Sequence, residues 1–169
     1  MFARTARLTL RPGWPEDAPA LAHAIAHEDV AMRLARLPWP YTVEHARGWL
    51  EMEHGADDLP LLILAHDRGE QPELIGGTGL HPQGDELEIG YWLTPAAWGR
   101  GYATEAGRAV VDMARHALGR RKLVSGHFLN NPASGRVLKK LGFVQTGVEK
   151  RDCLARGEQL DCATFELTL

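Results

Sequence analysis

Residues 92–111 read WLTPAAWGRGYATEAGRAVV. An alternating stretch stops at Pro95, two glycines flank Arg100, and a helical pattern begins at once. A strand handed to a helix through so short a corner restricts the chain to folds in which strand and helix pack as adjacent layers. The corner also gathers unpaired main-chain N–H groups and the positive end of a helix dipole at one point, where an anion is favoured. Gly99 and Gly101 let anion oxygens approach the backbone with no Cβ in the way, and Arg100 adds charge at the rim. The same two glycines equally suit a tight turn that needs only positive φ.

The rest of the chain supplies the layers. Residues 7–12 (RLTLRP) alternate and form a first strand. Leu21, Ile25, Val30, Leu34 and Leu37 recur at helical spacing, and Thr42 is a helix N-cap before Trp49, Leu50 and Met52. Residues 59–67, 73–82 and 85–95 follow as a three-strand meander whose last member sets Leu87, Ile89, Tyr91 and Leu93 on one face and Glu88, Gly90 and Trp92 on the other. A helix with Ala106, Gly107, Val110, Val111, Ala114 and Leu118 on one stripe stops near Gly119. A strand (122–129), a helix closed by Gly142 and a final hairpin complete the chain. The order implies an α/β fold with a mixed sheet. With 169 residues and no linker, repeat or low-complexity segment, a single domain over 1–169 is expected.

Composition excludes several classes. A net charge of −3 gives no global reason to bind nucleic acid. No apolar run reaches the roughly 18 residues that span a bilayer, so a cytoplasmic protein without a membrane partner is expected. Cys153 and Cys162 form no C-x-x-C pair; they flank LARGEQLD symmetrically and are expected to face each other across the last hairpin as free thiols. His23 and His27, at i and i+4, share a helical face but lack a third ligand and the glutamate of a zincin, so no metal is expected.

Two nucleotide-binding readings of the corner fail. A Walker loop needs G-x-x-x-x-G-K-[ST], which is absent. A dinucleotide fingerprint needs a third glycine where Thr104 stands, and an acid about 20 residues on, where Arg120 and Arg121 stand. The string YWLTPAAWGRGYATEA is instead similar to the coenzyme A pyrophosphate loop of GNAT acetyltransferases, Q/R-x-x-G-x-G/A, matched at Gly101 and Ala103 with Trp98 in the first position. NPASGRVLKKLGF, residues 131–143, resembles that family's N-x-x-S-x-x-x-L-x-K-L-G-F segment, in the form seen in the branch that acetylates ribosomal-protein N-termini; Leu138 stands where other branches carry tyrosine.

The resemblance implies a mostly antiparallel sheet of about seven strands flanked by helices and splayed between the fourth and fifth. It implies acetyl-CoA as co-substrate and direct transfer to a primary amine, a protein N-terminus or a small molecule; a non-catalytic acyl-CoA sensor is the alternative. The cofactor is expected on Trp98, Gly99, Arg100, Gly101, Tyr102, Ala103 and Thr104, with a main-chain N–H near Trp92 or Leu93 on the thioester carbonyl, Asn131 on the pantetheine or the adenosine-side arm, and Ser134 beside the thioester. Ser134 lies on the apolar side of its helix and reads as a proton donor to the departing thiolate, or as a hydroxyl satisfied by the preceding turn. Asn131 reads also as a helix N-cap. Glu88 is the first choice of general base, with His81 and His127 as alternatives. Trp39, Tyr41 and Trp49 line the acceptor pocket or pack in the core. A homodimer is the default for a small enzyme of this kind.

Overall fold

The computed structural model describes residues 1–169. Its strands are β1 (Ala3–Arg4), β2 (Leu8–Arg11), β3 (Leu59–Ala65), β4 (Glu73–Gln83), β5 (Glu86–Leu93), β6 (Lys122–Phe128), β7 (Val144–Cys153) and β8 (Glu158–Thr168). Its helices are α1 (Ala18–Ile25), α2 (Glu28–Ala31), α3 (Val43–Leu50), α4 (Tyr102–Asp112) and α5 (Pro132–Lys140). One open sheet runs β1-β2-β3-β4-β5-β6-β8-β7. It has eight strands rather than about seven, because Ala3 and Arg4 pair with Leu10 and Thr9, and two residues are too few to show an alternation.

Every neighbouring pair is antiparallel except β5 and β6, which are joined by α4 and run parallel. These two meet at a single bridge, Glu88 with Val124, whereas β4 and β5 pair without interruption from Gly76–Leu93 to Gln83–Glu86. Beyond the bridge β5 and β6 part. Counted among the seven long strands, this is the expected splay between the fourth and fifth.

Alternation along β5 decides what lies on each side of the sheet. Leu87, Ile89 and Leu93 are buried with Tyr102, Ala106 and Val110 of α4 and with Leu138 of α5. Trp92 turns to the opposite face and packs with Leu21 and Ala22 of α1, Ala46 of α3 and Leu62 of β3. Each of these large apolar side chains, removed from water, contributes roughly 1.5–3 kcal/mol, which is why the period-2 pattern fixes the register. Helix α4 widens into π-helical turns over Met113–Ala117 and closes at Gly119, with φ of +60°.

Two expectations are corrected here. Helix α1 ends at Ile25 and His27 takes an extended conformation before α2, so His23 and His27 do not share a helical face. The four-residue turn Leu154–Gly157 pairs Cys153 with Glu158 and Cys162 with Glu149, so the cysteines are offset along the hairpin instead of opposite. Both are free thiols packed against Phe128.

Candidate active site

The corner is built by local chemistry. Pro95 starts a short 3-10 turn, Gly99 and Gly101 take φ of +73° and +81°, and Gly101 caps α4. Between Trp98, whose N–H donates to Pro95 O, and Glu105, whose N–H donates to Gly101 O, no main-chain N–H has a protein acceptor. Gly99, Arg100, Gly101, Tyr102, Ala103 and Thr104 therefore present six unspent donors at the positive end of an 11-residue helix. A Cβ on Gly99 would meet nothing within 4 Å, so crowding by the protein does not explain the glycine there.

The corner is held from behind by the chain's N-terminal segment. Glu105 Oε1 accepts from the main-chain N–H of Arg7 (2.9 Å) and from Thr5 Oγ1 (2.6 Å), and its Oε2 accepts from Arg7 Nε (2.8 Å). Arg7 also donates to Arg100 O (3.1 Å), and its guanidinium lies 4.4 Å from the centre of the Tyr102 ring. Burial works against the Glu105 charge, but the bonds from Thr5 and Arg7 outweigh it and hold the carboxyl below its usual range.

Among the expected loop side chains, Arg100 is exposed and Trp98 partly so, but Tyr102 is 1% exposed and donates its hydroxyl to Asp67 (2.8 Å). Thr104 is buried as well. These two offer a ligand main chain only. The Trp98 indole N–H donates to Leu93 O (2.8 Å), and the Arg33 guanidinium lies 5.1 Å from the centre of the Trp98 rings.

The splay exposes the edge of β5. Thr94 N–H donates to Ile75 O (2.8 Å) and Thr78 Oγ1 to Gly90 O (2.9 Å), so the even-numbered residues point their main-chain groups at β4. Ile89 O accepts from Ser125 Oγ on β6 (2.9 Å), so the odd-numbered residues point into the splay. The uninterrupted register then sends the N–H groups of Tyr91 and Leu93 into the cleft and that of Trp92 into the ladder. Of the two main-chain N–H groups expected near the thioester carbonyl, that of Leu93 faces the cleft and that of Trp92 faces β4.

On the α4–α5 side of the cleft, Ser134 meets a residue that the sequence reading left in the core. Tyr91 Oη donates to Ser134 O (3.0 Å) and lies 2.9 Å from Ser134 Oγ. Burial pushes the Tyr91 phenol up to about 12, so it stays protonated. Asn131 occupies the N-cap position of α5, yet its side chain makes no capping bond and is left for other partners. Leu138 is fully buried. His127 Nδ1–H donates to Phe128 O (2.8 Å) and the ring stacks obliquely on Phe165, a structural setting.

On the other side, Glu88 Oε1 accepts from Arg151 Nη1 at 2.6 Å, and Arg151 also binds Glu149. Burial disfavours the Arg151 charge, but the bonds to Glu149 and Glu88 outweigh it and raise its pKa. His81, opposite Glu88 in the register, lays its ring over Gly90, where a Cβ would come within 2.8 Å of Nε2. Burial lowers the His81 pKa against the opposing pull of Glu88 and Asp58. A neutral imidazole at the splay is therefore in place, which the sequence, listing His81 as a strand-end residue, ranked below Glu88. Tyr41 and Trp49 pack on the α1–α3 cluster, whereas Trp39 is 36% exposed.

Comparison with known proteins agrees with this geometry. The family model of the acetyltransferase (GNAT) domain matches residues 7–144. The uncharacterized N-acetyltransferase YoaA of Bacillus subtilis is 33% identical over 167 residues, covering 96% of this chain and 94% of that protein. The ribosomal-protein-serine acetyltransferase of Escherichia coli is 26% identical, over 79% of this chain and 74% of that one. In structure, the GNAT-family acetyltransferase of Bacillus anthracis superposes with a TM-score of 0.85 at 22% identity, over 99% and 98% of the two chains. An acetyltransferase of a ribosomal protein in complex with coenzyme A superposes at 0.83 and 19%, over 100% and 98%. With its splayed sheet, its glycine corner and the family match across most of its length, the chain belongs to the GNAT acetyltransferases.

Proposed function

We propose that the protein moves the acetyl group of acetyl-CoA directly to a primary amine, either a protein N-terminus or a small molecule. The observation that carries this reading is the run of six unspent main-chain donors from Gly99 to Thr104. A diphosphate fits such a run because each oxygen takes an N–H already pointed at it, with no side chain to desolvate or order. Coenzyme A in its acetylated form supplies a thioester as acetyl donor. The rest of the chemistry falls to this chain's residues.

Gly99, Arg100, Gly101, Tyr102, Ala103 and Thr104 hold the diphosphate through main chain, with the Arg100 guanidinium at the rim. The Asn131 side chain, free of capping duty, holds the pantetheine arm. The Leu93 N–H donates to the thioester carbonyl and stabilises the negative charge that builds on its oxygen. His81, neutral through burial, takes the proton of the attacking amine directly or through water, and Glu88, held by Arg151, lies close enough to favour the imidazolium as it forms. Ser134 delivers a proton to the departing sulfur from the opposite face of the sheet. The placement of His81 and Ser134 on opposite faces supports a direct transfer, because amine and thioester then approach through the splay from the two sides.

Thiol release on mixing acetyl-CoA with a panel of amines and N-terminal peptides tests the reading. Steady release with at least one acceptor is expected. Binding of coenzyme A by calorimetry with no release from any acceptor would replace it with a sensor.

A further inference from the structure

The cleft holds a pair of hydroxyls that the reading above uses only by half. Ser134 sits in the first turn of α5, on the β6 side of the splay, and Tyr91 rises from β5 on the other side. The Tyr91 hydroxyl has one hydrogen and two acceptors within reach, Ser134 O at 3.0 Å and Ser134 Oγ at 2.9 Å. When the phenol hydrogen is on the carbonyl, the serine hydrogen is free to rest on the phenol oxygen. When it is on Oγ, the serine hydrogen is released to point elsewhere. The two arrangements differ by rotation of two O–H bonds and need no heavy-atom movement.

We propose that Tyr91 is the positioning residue for Ser134: its hydroxyl fixes the Ser134 rotamer, spans the two walls of the splay, and turns its hydrogen onto Oγ as Ser134 gives its own to the leaving sulfur. The inference rests on the acetyl-transfer reading and adds a residue to it. In the step itself the amine nitrogen bonds to the acyl carbon and gives a proton to His81, the carbon–sulfur bond breaks, the sulfur takes the Ser134 proton, and the Tyr91 hydrogen bond stabilises the oxygen left behind. Ser134 is reprotonated by solvent, into which His81 discharges the amine proton. A serine hydroxyl alone rotates freely and has no preferred direction, so a fixed partner on the far side is what makes it a directed donor. The Tyr91 phenol, kept protonated by burial, has its hydrogen available throughout the neutral range.

The test is a double-mutant cycle on the full chain, read as kcat and as KM for acetyl-CoA. Tyr91→Phe keeps the ring and removes only the hydroxyl. It is expected to lower kcat about tenfold with KM nearly unchanged, and Ser134→Ala to lower kcat on the order of a hundredfold. In the Ser134→Ala background the added Tyr91→Phe change should have no further effect on kcat, because the residue on which it acts is gone. Independent, additive losses would overturn the proposal, as would a rise in KM equal to the loss in kcat. Coenzyme A calorimetry on each variant confirms that the cleft has kept its shape; a Tyr91→Phe protein that no longer binds would assign the hydroxyl to structure instead. A wild-type chain that binds coenzyme A yet transfers nothing would remove the acetyl-transfer reading, a result distinct from additivity in an active enzyme.

Discussion

At the scale of single residues, burial and partner decide which of several plausible groups can do chemistry. Glu88 and His81 stand opposite each other on β5 and β4, but the Glu88 carboxylate has Arg151 at 2.6 Å while the His81 ring has no hydrogen-bond partner in the protein. Burial disfavours the charged imidazole, so His81 gains a proton only below the ordinary histidine value of about 6.5. Glu88 and Asp58 oppose that shift and Arg36 reinforces it. The expected rate profile is level through neutrality, with an acid limb below that value. His81→Gln should abolish this limb and lower kcat/KM by about 10²–10⁴-fold. A limb that persists in the variant would hand the proton to another group. The cysteines yield to the same reasoning. Burial raises the Cys162 thiol above its usual value and Cys153 is 1% exposed, so both should resist alkylation in the native protein and react together on unfolding. Native reaction of two thiols at the free-cysteine rate would contradict the packing around Phe128.

At the scale of elements, the corner between β5 and α4 joins sequence to function most directly. Its glycines, its helix and its anion-seeking character were legible, because φ requirements and helix ends follow from residue type alone. Its rear support was not: Arg7 and Glu105 are 98 residues apart, and nothing local announces that they will meet. Gly101→Ala tests the front. An alanine at φ of +81° costs about 1–2 kcal/mol, and the nearest atom to its Cβ, Arg7 Nη2 at 3.6 Å, is an ordinary contact. The fold should survive with Tm lowered by roughly 2–8 °C, and coenzyme A affinity should fall at least tenfold. Undiminished affinity in that variant would show that the ligand never approaches the backbone there.

Glu105→Gln tests the rear. The folded carboxyl lies below its unfolded value, so its stabilisation is present above about pH 4.3 and is lost as pH falls through the lower folded value. The variant should be less stable at neutral pH, by about 1–2 kcal/mol given that Arg7 remains 35% exposed, and should lose less stability on acidification than the native chain. Parallel stability curves for the two proteins would place the interaction's contribution near zero.

At the scale of the whole molecule, the order of elements and the splay were legible from two periodicities and a resemblance, and the structure changes only details. Strand β1 escaped because two residues carry no period. The cysteine offset escaped because symmetry about LARGEQLD puts the centre of the turn two residues too late. Tyr91 escaped for a more general reason. Its position in the alternation marks it as core, and only the arrival of α5 from 43 residues away turns a core tyrosine into a polar contact across the cleft. Residues proposed to act through main chain, Leu93 above all, are invisible to side-chain motifs; strand parity alone separates Leu93 from Trp92.

Binding at the glycine corner underlies every functional step above, and amide nuclear magnetic resonance on labelled protein reports it without need of an acceptor. On titration with coenzyme A, the amide signals of Gly99, Arg100, Gly101, Tyr102, Ala103 and Thr104 should move together with one affinity and become protected from solvent exchange. Coenzyme A that binds by calorimetry while those six signals stay fixed would contradict the assignment, as would a failure to bind at all.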